Sequence, residues 1–169
     1  MKVFLYAATS ADGFIATKNG DSEWVSDIDA FNFESKIKEI GCIVLGRRTF
    51  DQYQGEIYPV ADITNIVMTT NHSLLSTEEN VIYAYSPDDA LEKANNNGHN
   101  QVLVIGGGTT NGLFYKDNLI DEIFIDIHPL ALGNGIKIFE NVERADNLEL
   151  INQKPLGEGQ LYLHYKMIK

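Results

Sequence analysis

The chain has 169 residues, 44% of them hydrophobic, and 24 acidic against 13 basic side chains give it a formal net charge of −11. That length buries a core within one domain, and the acidity argues against nucleic acid or an anionic membrane as a partner. No apolar run approaches the roughly 20 residues of a membrane span, and the lone Cys42 cannot form an internal disulfide, in keeping with a cytoplasmic setting.

In chain order, Met1-Lys2-Val3-Phe4-Leu5-Tyr6 runs straight into a strand expected over 2–8, with no secretion-signal pattern. Asp12-Gly13 reads as a turn, with Asp12 as its former. A helix is expected over 27–39, with Asp27 and Asp29 near its start, where the helix dipole favours carboxylates. Gly41-Cys42-Ile43-Val44-Leu45-Gly46 is a buried-strand run, and Arg47-Arg48-Thr49-Phe50-Asp51 opens a helix over 47–53. Arg47 and Arg48 are two of only three arginines, at the carboxyl end of a buried strand, and arginine forms forked hydrogen bonds to phosphate. The competing reading is that they bridge surface acids, which is the expectation for Arg48; for Arg47 both readings stand.

Strands follow over 64–69 and 80–84, then a helix over 87–96 with Ser86 as N-cap and Pro87 in its first turn. Val102-Leu103-Val104-Ile105 is a third buried-strand run, and Gly106-Gly107-Gly108 then turns into a helix over 109–117. Glycines there let a ligand approach the backbone, and the helix offers unpaired N–H groups and its positive end to an anion. The other reading of such a turn is plain packing. Strands at 122–128, 147–153 and 160–167 complete the chain, the last two joined as a hairpin through Gly157-Glu158-Gly159. The order predicts one α/β domain over 1–169: a mostly parallel central sheet, helices on both faces and a C-terminal antiparallel hairpin.

Six ordered motifs resemble the dihydrofolate reductase fold and, within it, the reductase domain of bacterial riboflavin biosynthesis. They are Ser10-Ala11-Asp12-Gly13-Phe14-Ile15-Ala16; Trp24 with Asp27 and Asp29; Leu45-Gly46-Arg47-Arg48-Thr49-Phe50; Asn65-Ile66-Val67-Met68-Thr69-Thr70; Ile105-Gly106-Gly107-Gly108; and Leu119-Ile120-Asp121-Glu122 with Pro129-Leu130-Ala131-Leu132-Gly133-Asn134-Gly135 and Phe139. The resemblance implies an NADPH-dependent reductase that moves a hydride to a small heterocycle of pyrimidine or pteridine type, 5-amino-6-(5-phosphoribosylamino)uracil among them. It also implies roles for particular residues. Ala8 and Ile15 would meet the nicotinamide, Gly46, Arg47 and Thr49 the adenosine phosphates, and Thr70 the 2′-phosphate. Gly107, Gly108, Thr109 and Thr110 would cradle the pyrophosphate, and Trp24 and Phe33 would line the substrate site.

The substrate side departs from its relatives. Val60-Ala61-Asp62-Ile63-Thr64 lacks the arginine with which folate enzymes hold a glutamate tail, and Gln52-Tyr53-Gln54-Gly55-Glu56-Ile57-Tyr58 lacks the arginines that bind a ribose phosphate. Asp29 and Asp27 are the candidates for proton transfer to a ring nitrogen, provided burial raises the pKa; the alternative is a purely helix-capping role. The four histidines show no metal-ligand spacing, and His128 reads as structural. The second class is a non-catalytic NADP-binding dimeric sensor or scaffold. A homodimer is expected from the resemblance and from Leu161, Leu163, Tyr165 and Met167, which alternate on one face of the last strand.

Overall fold

The computed structural model describes residues 1–169. The elements are β1 (Lys2–Ser10), β2 (Phe14–Ala16), α1 (Asp27–Ile40), β3 (Cys42–Gly46), α2 (Arg47–Gln52), β4 (Thr64–Met68), β5 (Val81–Ala84), α3 (Pro87–Asn96), β6 (Gln101–Val104), α4 (Gly108–Lys116), β7 (Glu122–His128), β8 (Ile136–Lys137), β9 (Leu148–Gly157) and β10 (Gln160–Met167). Eight strands form one sheet in the order β5-β4-β3-β6-β1-β7-β10-β9. All pairs from β5 to β7 are parallel, and β10 alone is reversed, antiparallel to both β7 and β9.

Period-two alternation in β1 divides the core between two faces. Val3, Leu5 and Ala7 join Phe114, Tyr115, Ala90 and Ala94 beneath α3 and α4. Phe4 and Tyr6 join Ile37, Ile40 and Phe50 beneath α1 and α2. Helices therefore cover both faces, as the alternation of elements predicts. The hairpin also forms where expected: Glu158 and Gly159 lie between β9 and β10 with φ of 51° and 80°, the paired positive values that suit a two-residue turn.

Two elements escape the sequence reading. β2 and β8 pair with each other outside the main sheet, and at three and two residues they are too short for a periodic signal. The close approach that joins them is written in glycine: a Cβ at Gly135 would lie 2.2 Å from the Ala16 carbonyl oxygen. β9 extends to Gly157, past the expected 153, as an exposed edge strand without alternation to mark its end.

Candidate active site

Because β3, β6 and β1 are parallel neighbours, the turns that follow β3 and β6 emerge side by side at the carboxyl edge of the sheet. Sheets of this kind take ligands where the connections leave toward opposite faces. Here α2 goes to one face and α4 to the other. The Gly46 N–H donates to the Gly106 carbonyl at 2.7 Å, which fastens the two turns together. A Cβ at Gly46 would lie 2.6 Å from Thr110 Oγ1, and one at Gly107 would lie 3.3 Å from Thr49 Oγ1. Gly46, Thr49, Gly107 and Thr110 thus form one junction. In α4 the first intrahelical bond is from Asn111 N–H to the Gly107 carbonyl, which leaves the preceding amides available to an anion.

Gly108 has a different role. A Cβ there would lie 2.3 Å from the Lys137 carbonyl oxygen, and one at Gly112 would lie 2.1 Å from that of Glu140, so both glycines admit the 137–140 segment. Thr109 donates its hydroxyl to Glu140 Oε2 at 3.0 Å, which puts a carboxylate beside the α4 N-terminus. Arg47 Nε bonds both carboxylate oxygens of Asp51, at 2.5 and 2.6 Å, and its guanidinium carbon stands 6.0 Å above the Tyr83 ring. Arg48 is exposed and joins no ion pair, so the surface pairing expected of Arg48 falls to Arg47 instead. The reason is helical spacing: Asp51 is four residues from Arg47, and Arg48 has Gln52 at that distance. Thr70 is exposed on the connection after β4, Ala8 is half-buried near the end of β1, and Ile15 packs from β2 against the α3–α4 core. The donors at the junction fit a phosphorylated nucleotide. Asp51 and Glu140 are the groups such a ligand has to displace or tolerate.

On the α1 face the two candidate carboxylates separate. Ser26 caps α1 by accepting the Asp29 N–H, and Gly41 ends it at φ 75°. Asp29, Phe33, Ile37 and Ile40 recur at helical spacing, and the two isoleucines pack in the core beneath α1, so Asp29 belongs to the stripe facing the sheet. Asp27 is off that stripe and exposed, placed only to favour the dipole. Asp29 is 2% exposed and receives the Tyr6 hydroxyl at 2.6 Å, while the same hydroxyl lies 2.9 Å from Asp126 Oδ2. Burial first, then hydrogen bonding and charge repulsion from Asp126, push the Asp29 carboxyl up to about 8 against the opposing Tyr6 hydrogen bond. The Tyr6 phenol is raised far above its ordinary range, chiefly by burial. Phe33 lies against Tyr6 with ring centroids 5.3 Å apart. Trp24 meets His128 edge-on at 5.1 Å, and its indole N–H is buried without a protein partner.

His128 has the structural role expected of it. Its Nε2 accepts the Ser26 N–H, so the ring hydrogen sits on Nδ1 and points to the Asp126 carbonyl 3.2 Å away. Asp12 does more than form a turn. It takes the Ser10 hydroxyl and the Leu132 and Gly133 amides, tying the β1–β2 turn to the segment before β8. Tyr6 and Asp126 are the site residues that the sequence reading misses. A charged residue inside Ile123-Phe124-Ile125-Asp126-Ile127, on the same face as Phe124, is the signal that marks the second.

This architecture, with both turns at one sheet edge, is the fold of the riboflavin-biosynthesis reductase domains. The chain belongs to the RibD C-terminal domain family, whose model matches residues 1–162. YyaP of Bacillus subtilis (strain 168), an uncharacterized protein, is 27% identical over 177 residues, covering 97% of this chain and 94% of its own. A Shewanella sp. PV-4 protein named for riboflavin biosynthesis shares the fold at TM-score 0.81 and 24% identity, with both chains covered in full. The diaminohydroxyphosphoribosylaminopyrimidine deaminase/5-amino-6-(5-phosphoribosylamino)uracil reductase of Thermotoga maritima does so at TM-score 0.78 and 17% identity, over 99% of this chain and 56% of that one. The family defines the chain as a reductase-type domain with the dihydrofolate reductase fold. No helix is long and apolar enough to cross a membrane.

Proposed function

We propose that the protein is an NADPH-dependent reductase acting on a small heterocycle of pyrimidine or pteridine type. The observation that carries this reading is the junction of Gly46, Thr49, Gly107 and Thr110, where two strand-to-helix turns meet with α4 amides unpaired beside them. Phosphates would be held by the α4 amides, by the Thr49 and Thr110 hydroxyls and by the Arg47 Nη groups, which stay outside the Nε–Asp51 contact. Thr70 and Tyr83 would flank the adenosine end. Ala8 and Ile15 would seat the nicotinamide ring, whose reduced form supplies a hydride when bound. Trp24 and Phe33 would border the heterocycle beside Asp29. A buried, protonated Asp29 holds a proton for a ring nitrogen at neutral pH.

The segment at 60–64, without a basic residue, supports a substrate without a carboxylate tail, and that at 52–58 supports one without a ribose phosphate. The apolar face expected on β10 is covered within the domain, with Leu163 and Met167 buried. The exposed apolar residues of the neighbouring β9, Leu148, Leu150 and Ile151, support a homodimer through the C-terminal strands instead. Light scattering tests it: twice 18.9 kDa is expected, and a single 18.9 kDa species counts against it. The functional reading is tested by titrating NADPH and NADH by nicotinamide fluorescence and following NADPH oxidation across a panel of pteridines and pyrimidine nucleosides and nucleotides. NADPH binding with turnover on one class is expected. Binding without turnover on any of them would favour the sensor or scaffold, and no binding would remove the reading.

A further inference from the structure

We propose that Asp126 and Tyr6 are positioning residues that form one proton-holding unit with Asp29, so that Asp29 meets the substrate as a neutral acid. The use of that proton rests on the reductase reading above; its existence does not.

The argument begins with hydrogen counting. The Tyr6 phenol oxygen lies 2.6 Å from Asp29 Oδ1 and 2.9 Å from Asp126 Oδ2. A phenol has one hydrogen and an ionised carboxylate has none, so with both carboxyls ionised one of these contacts would set two oxygens together without a hydrogen. A second hydrogen on a carboxyl satisfies both. The three residues come from β1, α1 and β7 and are 4%, 2% and 0% exposed.

No cation supplies an alternative. Neither carboxyl takes part in an ion pair. From α1, Lys36 is paired with Glu39 and lies over the Phe124 ring. On β7, His128 directs its ring hydrogen to a backbone carbonyl. On β10, Tyr162 is an uncharged neighbour, Lys154 of β9 lies over its ring, and His164 is engaged with Glu122. Two bare buried negative charges cost far more than one retained proton. The upward shift of Asp29 has the same origin, burial together with Asp126. Asp126 Oδ1 is buried without any protein partner and remains an open acceptor on the unit.

The step balances as follows. Reduction of a ring C=N places a hydride from the dihydronicotinamide on carbon and a proton on nitrogen. A carboxyl O–H of the unit breaks as the ring N–H forms, and the electron pair of that O–H bond stays on the carboxylate. The Tyr6 hydroxyl hydrogen remains to stabilise the new charge, and solvent returns the lost proton after product leaves.

The test is carbon NMR on ligand-free protein carrying aspartate labelled at the side-chain carboxyl. One step above about pH 7, felt by both the Asp29 and Asp126 resonances, is expected, where ordinary carboxyls finish titrating by about pH 5. Asp126→Asn should lower the Asp29 step by at least a pH unit. Tyr6→Phe, which deletes a donor to the carboxylate, should raise it. Wild-type carboxyls that all titrate below about pH 5 would overturn the unit, as would an Asp126→Asn protein whose Asp29 step does not move. If Asp126→Asn does not fold, Tyr6→Phe decides by the direction of its shift. With a substrate in hand, the alkaline limb of kcat/KM should follow the NMR step through these variants; a limb that ignores it overturns the positioning role. An intact NMR step with no turnover on any heterocycle would count against the reductase reading and not against the shared proton.

Discussion

The sheet edge where the two turns meet and the acid cluster are built from opposite materials. At the edge, Gly46, Gly107, Thr49 and Thr110 come together because two parallel neighbours end there, and the chemistry is backbone amide and hydroxyl. In the cluster, Tyr6, Asp29 and Asp126 come from three elements up to 120 residues apart, and the chemistry is side-chain oxygen withdrawn from water. The edge keeps its backbone bond from Gly46 to Gly106 whichever hydroxyl is changed. The cluster cannot tolerate the loss of one member without leaving another unpaired.

The largest expected effect separates packing glycines from ligand glycines within the edge itself. Gly112→Ala would drive a Cβ into the Glu140 carbonyl at 2.1 Å and should cost about 3 kcal/mol of stability by urea denaturation. At Gly107 an added Cβ meets only Thr49 Oγ1, at 3.3 Å, so Gly107→Val should cost less stability than Gly112→Ala while weakening NADPH and NADH alike by about tenfold or more. If Gly107→Val binds both nucleotides as the wild type does, the junction is packing alone.

Next comes the choice between nucleotides. Arg47→Ala is expected to weaken NADPH by about ten- to a hundredfold and leave NADH nearly unchanged, the worth of roughly 1.5–3 kcal/mol for a charge-assisted bond. Equal losses for both nucleotides would remove Arg47 as the selector.

How far each region was legible follows from what makes it. Gly46 and Gly106-Gly107-Gly108 stand out beside β-branched runs, so the edge is readable from local sequence. The split between Gly107 and Gly108 is not, because it depends on the 137–140 segment arriving from elsewhere. Asp29 was readable as a candidate, and its place four residues before Phe33 and eight before Ile37 separates it from Asp27. Its partners were not, since Tyr6 looks like an ordinary strand aromatic and Asp126 gains meaning only when β7 pairs with β1. Asp51 shows why local charge patterns mislead: the pairing expected of Arg48 goes to Arg47 one residue earlier, by helical geometry.

A third test bears on the cluster through stability. An Asp29 carboxyl held near 8 when folded and near the ordinary aspartate value when unfolded keeps a proton that the unfolded chain has lost. Its contribution is therefore fully present in acid and is lost as pH rises toward 8. The slope is at most about 1.4 kcal/mol per pH unit over that window. Thermal denaturation at pH 6 and 8.5 should show the wild type losing Tm with rising pH and Asp29→Asn losing less. Parallel pH slopes in the two proteins would mean that Asp29 is ionised in the fold.

The smallest expected effect belongs to Asp51→Ala. Freeing the Arg47 Nε should tighten NADPH by about two- to fivefold, the range of an exposed ion pair, and leave NADH alone. Unchanged NADPH affinity would show that Arg47 binds phosphate without giving up Asp51.

The most direct measurement is amide NMR of the isotopically labelled protein titrated with NADPH. The largest shifts should fall on Gly46 to Thr49 and Gly106 to Thr110, with smaller ones at Ala8 and Ile15. Shifts confined to other surfaces, or no shifts at saturating nucleotide, would contradict a nucleotide site at the meeting of the two turns.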